Sequence, residues 1–518
     1  MEHSATEPDL EAGRTTVPTD AEKERRQIDA EKDAHSTADA ESASRPRTFS
    51  ATSEERKYIV DWEEDDPENP LNWPSKKKWK NLWIVSSITL ITPLASSMFA
   101  PGVPQLMKEF HSTNVELASF VVSVYILGFA IGPMVIAPLS ELYGRRKVYQ
   151  CCNVLFLACT IVCGESPNLG MLLAFRFWAG CAGVAPLTIG AGSVGDLMRA
   201  EERGGAMAIF SLGPLIGPII GPIAGGYISE SIGWRWVFRI LACCSAVVTV
   251  VTFFLDETYA TTLLEAKAKK LRETHNDHAY KSKFASNLPK KTVWKRAIIR
   301  PLKMLFMSPI VSLLSLHMSL VYGLLYLLFT TFTSVFQGIY GFSTGSAGLT
   351  FLGLGVGTII GVVVIGGTAD RIYIYYEKKN NGVGKPEYRL PAMIVCCLCV
   401  PVGLFWYGWS AQARAHFIVP ILGTVLVAFG MMSVMLPVQN YLVDAYTRYA
   451  ASAIAAATIL RSILGAFLPL AGQPMYDKLG IGWGNSLLGF LALAMTPIPL
   501  VFWKYGERIR TKNPINLD

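Results

Sequence analysis

Apolar residues in this chain run in unbroken blocks about as long as a bilayer is thick, not in the stripes of surface helices. A helix needs about 20 mostly apolar residues to cross the hydrocarbon, at a rise of about 1.5 Å each. Blocks of that kind fall at 82–103, 117–139, 148–163, 171–194, 207–228 and 237–255. After a polar interval they resume at 310–336, 347–365, 391–409, 417–438, 450–470 and 487–503. The pattern predicts an all-α membrane protein of twelve transmembrane helices in two pseudo-symmetric six-helix bundles, with the bilayer as solvent for most of the chain.

The intervening polar stretches set the expected domains: a tail over 1–80, a six-helix bundle over 81–255, a loop over 256–305, a second bundle over 306–505 and a short tail over 506–518. Only 17% of residues are charged, against roughly 25% in soluble domains. The first 80 residues hold 20 acidic and 13 basic residues and no apolar run, a composition that predicts a disordered acidic tail. The 256–305 loop is the reverse, with twelve basic and five acidic residues. Further basic residues lie at Arg145, Arg146 and Lys147, and at Arg371, Lys378, Lys379, Lys385 and Arg389, whereas 164–170 and 337–346 are nearly uncharged. Positive loops face the cytosol, so both termini and the basic loop are expected there. Arg235 and Arg239 are exceptions on the other side. Basic loops beside anionic lipid account for the +7 net charge, and no nucleic-acid partner is expected.

The ten cysteines lie in or beside apolar blocks without histidine companions, which reads as helix packing, not as a disulfide or metal framework. Repetition is visible in the loops. Leu139-Ser140-Glu141-Leu142-Tyr143-Gly144-Arg145-Arg146 follows the second span, and Thr368-Ala369-Asp370-Arg371 follows the eighth. Asp196 and Arg203 close the fourth span as Asp444 and Arg448 close the tenth. Such half-repeats build a cavity between two bundles that rock about a midplane site.

A charge inside hydrocarbon is costly, so it is a functional candidate by default. Arg176 lies in the fourth span and Arg461 in the eleventh; each is either substrate-facing, proton-coupling or half of a structural ion pair. No Asp or Glu sits near the centre of a span. A proton carrier must then be a carboxylate at a span end, such as Glu141, Asp196, Asp370, Asp444 or Glu230, or else His317, whose kind titrates near neutral pH. The fifth span carries Gly213, Pro214, Gly217, Pro218, Gly221, Pro222, Gly225 and Gly226. Glycines four apart share a face and let a helix approach closely, and the interleaved prolines suggest a hinge or gate. Tyr125, Tyr322, Tyr326, Gln439 and Asn440, together with His317 and Arg461, are candidates for the cavity wall, with interfacial anchoring or interhelical hydrogen bonding as the plainer alternative.

At these motifs the chain resembles the major facilitator superfamily, and within it the twelve-span drug:proton antiporters of fungi. The likeness runs from Asp66-Pro67-Glu68-Asn69-Pro70-Leu71-Asn72-Trp73-Pro74 to about Arg510. It includes Arg176-x-x-x-Gly180, the Gly213–Gly226 run, Gly233-Trp234-Arg235-Trp236-Val237-Phe238, Glu257-Thr258-Tyr259, Pro386-Glu387-Tyr388-Arg389-Leu390-Pro391 and Tyr441-Leu442-Val443-Asp444-Ala445-Tyr446. The 139–147 stretch departs from the family loop in having Pro138 and Glu141 where glycine and aspartate are usual. The resemblance implies a plasma-membrane, multi-pass efflux transporter that exports a drug-like molecule, toxin or secondary metabolite by alternating access. Arg176, Asp196 and Glu141 would couple protons, and the Gly213–Gly226 run would be the antiporter motif. The proton gradient would supply the energy, with no cofactor, and the protein would be a monomer. A polyamine or other metabolite transporter, or a proton-symporting uptake carrier, shares the architecture. An enzyme is disfavoured by the lack of clustered His, Asp and Glu within spans, and a self-contained ATP-driven pump by the lack of a phosphate-binding loop.

Overall fold

The computed structural model describes residues 58–63, 65–277, 279–284 and 289–512. From Val60 onward the described residues form one compact unit. Most of the expected tail, with the Arg47–Ser50 stretch, lies outside the described residues.

The first ten spans are Ser75–Glu109, Val115–Tyr143, Arg145–Gly164, Leu169–Leu197, Glu202–Ile232, Trp234–Thr252, Pro309–Tyr340, Thr344–Lys379, Pro386–Gln412 and Ile418–Ala445. The eleventh apolar stretch, Ala450–Lys512, contains two crossings. At Gly480 the backbone leaves helical geometry (φ 77°, ψ 166°). The Tyr476 hydroxyl then donates to Asn485 Oδ1 at 3.1 Å, although nine residues of continuous helix span about 13.5 Å. The chain has turned back, and twelve crossings result. Gly144 (φ 88°, ψ 166°) and Gly233 (φ 95°, ψ 159°) make the same reversal, in a region of backbone space that favours glycine. Gly233 and Gly480 join the last two spans of their respective halves, so the two bundles share even this turn.

Span starts are fixed by side chains that satisfy the exposed first-turn amides. Asn114 accepts from Leu117 N at 3.0 Å, Asn168 from Met171 N at 2.9 Å and Ser308 from Val311 N at 3.3 Å. Outward faces stay apolar and exposed, as at Val363, Val395 and Phe254, because lipid replaces water there. The 256–305 loop is not structureless: it carries helices Ala260–His275 and Lys290–Met307.

Two seams join the bundles. The second span meets the eleventh through Ser123 Oγ, which donates to Ala466 O at 2.7 Å, and through stacked Phe120 and Phe467. The fifth meets the eighth with almost no side chain between them: a Cβ at Gly348 would lie 2.6 Å from Pro222 O, and one at Gly226 would lie 2.8 Å from Thr344 O. These contacts gather at the end away from the basic loops, here called the far end. Toward the basic end a Cβ at Gly366 or Gly367 would meet nothing within 4 Å. The exceptional arginines of the far end are neutralised: Arg235 pairs with Glu109, and Arg239 Nε with Glu165 at 2.9 Å.

The tail was expected to extend to residue 80, yet residues 60–63 and 65–74 are docked and the first span begins at Ser75. Val60 packs on Leu264 and Ala268 of the Ala260–His275 helix. Asp66 Oδ2 meets Lys267 Nζ at 2.5 Å, and Arg199 Nη2 donates to Asn72 Oδ1 at 3.0 Å. Composition misled because the acidic segment finds its counter-charges in the central loop. Burial works against the Asp66 carboxylate, but hydrogen bonds from Lys267 and the Glu68 N–H outweigh it and hold Asp66 below the usual carboxylate range. A depressed acid stabilises docking above its ordinary value and loses that contribution as pH falls through the lowered one; the clasp therefore persists at neutral pH. Asp66→Asn is expected to raise amide exchange across 260–275 about tenfold, or about 1.4 kcal/mol. Exchange unchanged by this variant would show that Val60 and Trp62 hold the segment without the charge.

Candidate translocation site

Five of the residues singled out from sequence come together at mid-depth between the bundles. Arg176 is 2% exposed, carried by a helix that starts at Leu169 on its Asn168 cap. Its guanidinium lies 5.3, 5.4 and 5.6 Å from the rings of Phe99, Tyr125 and Phe238. Nη2 donates to Val122 O at 3.3 Å, and Nε has no partner. No carboxylate pairs with Arg176 among the described residues, so it is not half of an ion pair. Ring faces attract a desolvated cation by about 2 kcal/mol or more, and they replace the counter-charge. Beside it is a cavity of about 10 Å³ lined by Thr160, Cys163 and Leu241, near the lower limit for one water.

Tyr125 is fully enclosed and its hydroxyl is already used, donating to Thr92 O at 3.1 Å. Its backbone is pressed against Gly180, where a Cβ would lie 2.0 Å from Tyr125 O. That contact gives Gly180 of the Arg176-x-x-x-Gly180 sequence its steric reason. Tyr326 reaches across the bundles to Ser96 Oγ at 3.1 Å and lies 5.1 Å, ring to ring, from Tyr322. Arg461 covers the Tyr322 ring at 4.7 Å with an unpartnered Nε. Tyr322 and Arg461 are half-buried, whereas Tyr125 and Arg176 are enclosed. His317 is buried with Nδ1 unpartnered. Gln439 and Asn440 lie one turn from Asp444, toward the basic end, and no contact among the described residues brings them to this cluster.

Glu141 and Asp196 lie at the basic end, in a charge cluster that each bundle repeats. Arg145 Nε meets Asp196 Oδ2 at 2.5 Å. Glu257 accepts from the backbone N–H groups of Arg145, Arg146, Thr258 and Tyr259 at 3.0–3.1 Å. Glu141 is exposed at the rim. In the other bundle Arg389 Nε meets Asp444 Oδ2 at 2.9 Å, and its Nη1 meets Asp370 Oδ1 at 2.7 Å. The sequence comparison set the 139–146 stretch against 368–371; in the structure Arg389 is the equivalent of Arg145, because it opens the ninth span as Arg145 opens the third. The signal was available in spacing: 51 residues separate Arg145 from Asp196, and 55 separate Arg389 from Asp444.

The Gly-Pro series forms one unbroken helix from Ala200 to Ile232. Its glycine face lies on the first span: a Cβ at Gly213, Gly217, Gly221 or Gly225 would meet Leu90, Pro93, Ser97 or Met98 at 2.9 Å or less. Gly226 faces the eighth span. The run therefore packs two partners at once, within its own bundle and across the seam. At its far end Glu230 Oε2 accepts from Ser343 Oγ at 3.0 Å and Gly345 N at 2.6 Å, clasping that seam. Nothing in the sequence marked Glu230 as a clasp, since its partners lie more than 110 residues away. Hydrogen bonds to a charged group contribute about 1.5–3 kcal/mol, so Glu230→Gln is expected to speed amide exchange across 344–349 about tenfold. Equal exchange in both proteins would remove Glu230 from the gate.

The family model described as Major Facilitator Superfamily matches residues 85–469. The chain belongs to this superfamily. Among its relatives, the MFS-type transporter penM of Penicillium rubens is 56% identical over 455 residues, covering 88% of this chain and 89% of that protein. The MFS-type transporter tndD of Aspergillus flavipes is 54% identical, covering 88% and 85%. The efflux pump radE of Floropilus chiversii is 47% identical, again covering 88% and 85%. The fold matches the xylose transporter XylE from E. coli in a partially occluded inward open conformation, with a TM-score of 0.62 at 16% identity over 83% of this chain and 98% of that one. This major facilitator protein is thus a multi-pass membrane transporter with fungal relatives, and its midplane cluster lies between the two bundles.

Proposed function

We propose that this transporter exports a flat, largely apolar, oxygen-bearing small molecule across the plasma membrane in exchange for protons, with its basic end in the cytosol. The observation that carries this reading is the pair of guanidiniums at mid-depth. Arg176 and Arg461 each keep a free Nε and have tyrosine rings for neighbours in place of carboxylates. Such a wall suits aromatic bodies bearing carbonyl or hydroxyl acceptors. The name efflux pump borne by a 47% identical relative supports the direction.

Proton coupling would run through the basic-end carboxylates. Protonating Asp196 removes the charge that holds Arg145, loosening the third span from the fourth; cargo and proton then favour different conformers, and only that difference can drive the cycle. The test is export profiling after deletion and overexpression across a chemical panel, with and without a proton-gradient uncoupler. Tolerance that rises with expression and disappears on uncoupling supports the proposal. Heightened sensitivity on overexpression would reverse the direction, and export indifferent to the uncoupler would end the coupling.

A further inference from the structure

At the far end a cavity of about 340 Å³ opens between the two bundles, at the lower end of the range for small-molecule sites, about 300–1,000 Å³. The first bundle contributes Val103, Met107 and Ser119 to its wall, and the second contributes Thr333, Gln473 and Asp477. Asp477 is the single charged residue on the lining; its neighbour Lys478 is exposed and not part of it.

The internal symmetry shows what is unusual about Asp477. It precedes the reversal at Gly480 by three residues, as Glu230 precedes the matching reversal at Gly233. Glu230 uses its position to bind the opposite bundle through Ser343 and Gly345. Asp477 accepts only from Gln473 Nε2 on its own helix, at 3.0 Å, among the described residues. The end of the second span, which lines the same cavity, is already capped by Asn114. Where Glu230 meets protein, Asp477 meets open space. Thr333, also on the lining, is 3% exposed and its hydroxyl has no partner. A buried polar group left unsatisfied costs about 1–3 kcal/mol, which an occupant offering a polar contact would relieve.

We propose that this cavity is a binding site for a small organic cation, with Asp477 as its counter-charge, Thr333 as a polar contact and the Val103 and Met107 side chains against its apolar body. The chemistry follows from the lining: one unpaired carboxylate, neutral hydroxyls and amides, and no basic group. An occupant wedged between bundles that must close on each other favours the conformer with the far end open. The site is separate from the Arg176 and Arg461 wall and requires neither the cargo nor the direction proposed above.

The probe is benzyltrimethylammonium, compared with its neutral carbon isostere, neopentylbenzene. Thr113, exposed on the cavity rim, is replaced by cysteine in the full chain in lipid nanodiscs. Labelling by a charged maleimide is followed above the level of the parent protein, with no gradient applied. Saturating ammonium is expected to slow labelling at least threefold, and the isostere to leave it unchanged. Adding Asp477→Asn should abolish the protection, while Asp477→Glu should retain it. Absence of protection, equal protection by the isostere, or protection persisting in Asp477→Asn would each overturn the site. Because no cargo is transported, this outcome is independent of whether export is proton-coupled.

Discussion

Arg176→Ala is expected to lower transport at least a hundredfold while leaving the amount of protein in the membrane within about twofold of the parent. A hundredfold corresponds to about 2.7 kcal/mol of lost stabilisation along the transport cycle. The two halves of the prediction have separate causes. Transport fails because the free Nε and the cation between Phe99, Tyr125 and Phe238 disappear. Folding survives because Arg176, which donates to Val122 O, has no carboxylate to orphan among the described residues. Truncating one member of a buried ion pair costs about 3–5 kcal/mol; here the change removes a costly unpaired charge, which offsets the void left behind. Arg176→Lys keeps the charge but not the planar, ring-stacking guanidinium, so an intermediate loss is expected. Substrate flux per molecule in proteoliposomes, with surface amount measured in parallel, checks both halves. Full activity in Arg176→Ala would take the residue out of the mechanism.

Gly225→Leu is expected to prevent assembly of the first bundle altogether. A Cβ at Gly225 would lie 1.7 Å from Met98 O and 2.7 Å from Met98 C. Both atoms are backbone, in the short segment linking the first span to its outer turn, so neither can rotate aside. Gly221 is different: its nearest neighbour is Ser97 Oγ at 2.3 Å, a side-chain end that can turn, and Gly221→Ala should cost less. Overpacking in a tight core typically costs about 1–3 kcal/mol and occasionally more, and here the two helices would have to separate. The expected result is loss of the monodisperse detergent-solubilised peak for Gly225→Leu and a reduced melting temperature for Gly225→Ala. Gly204→Ala and Gly205→Ala, where nothing lies within 4 Å, serve as controls and should match the parent.

Where sequence reading erred, local polarity was the cause. The third span was expected from 148 but begins at Arg145, because its first turn emerges from lipid and tolerates charge. The stretch 471–486 was expected as a connection, yet it is helical on both sides of Gly480; its Gln, Asp and Lys residues lie near the surface and depress hydropathy without preventing a helix. The site divides in the same way. Arg176 and Arg461 were legible because a charge in hydrocarbon is conspicuous wherever it points. Tyr125 was read as cavity wall, but its hydroxyl is spent on Thr92 O, and no sequence feature distinguishes a tyrosine facing a passage from one facing a neighbouring backbone.

Chain order alone determined that this protein crosses a membrane twelve times in two related halves, because the cost of burying peptide groups in lipid forces long apolar helices whatever their neighbours. Tertiary structure decided which charges meet. Arg145 with Asp196, Arg389 with Asp444 and Glu230 with the eighth span are contacts between residues far apart in the chain, set by how helices lean on one another. The reach of one side chain is a few ångströms, and hydropathy carries no information at that scale. For the same reason only the folded chain separates Glu230, which fastens the seam, from Asp477, its symmetric counterpart, which faces an open cavity.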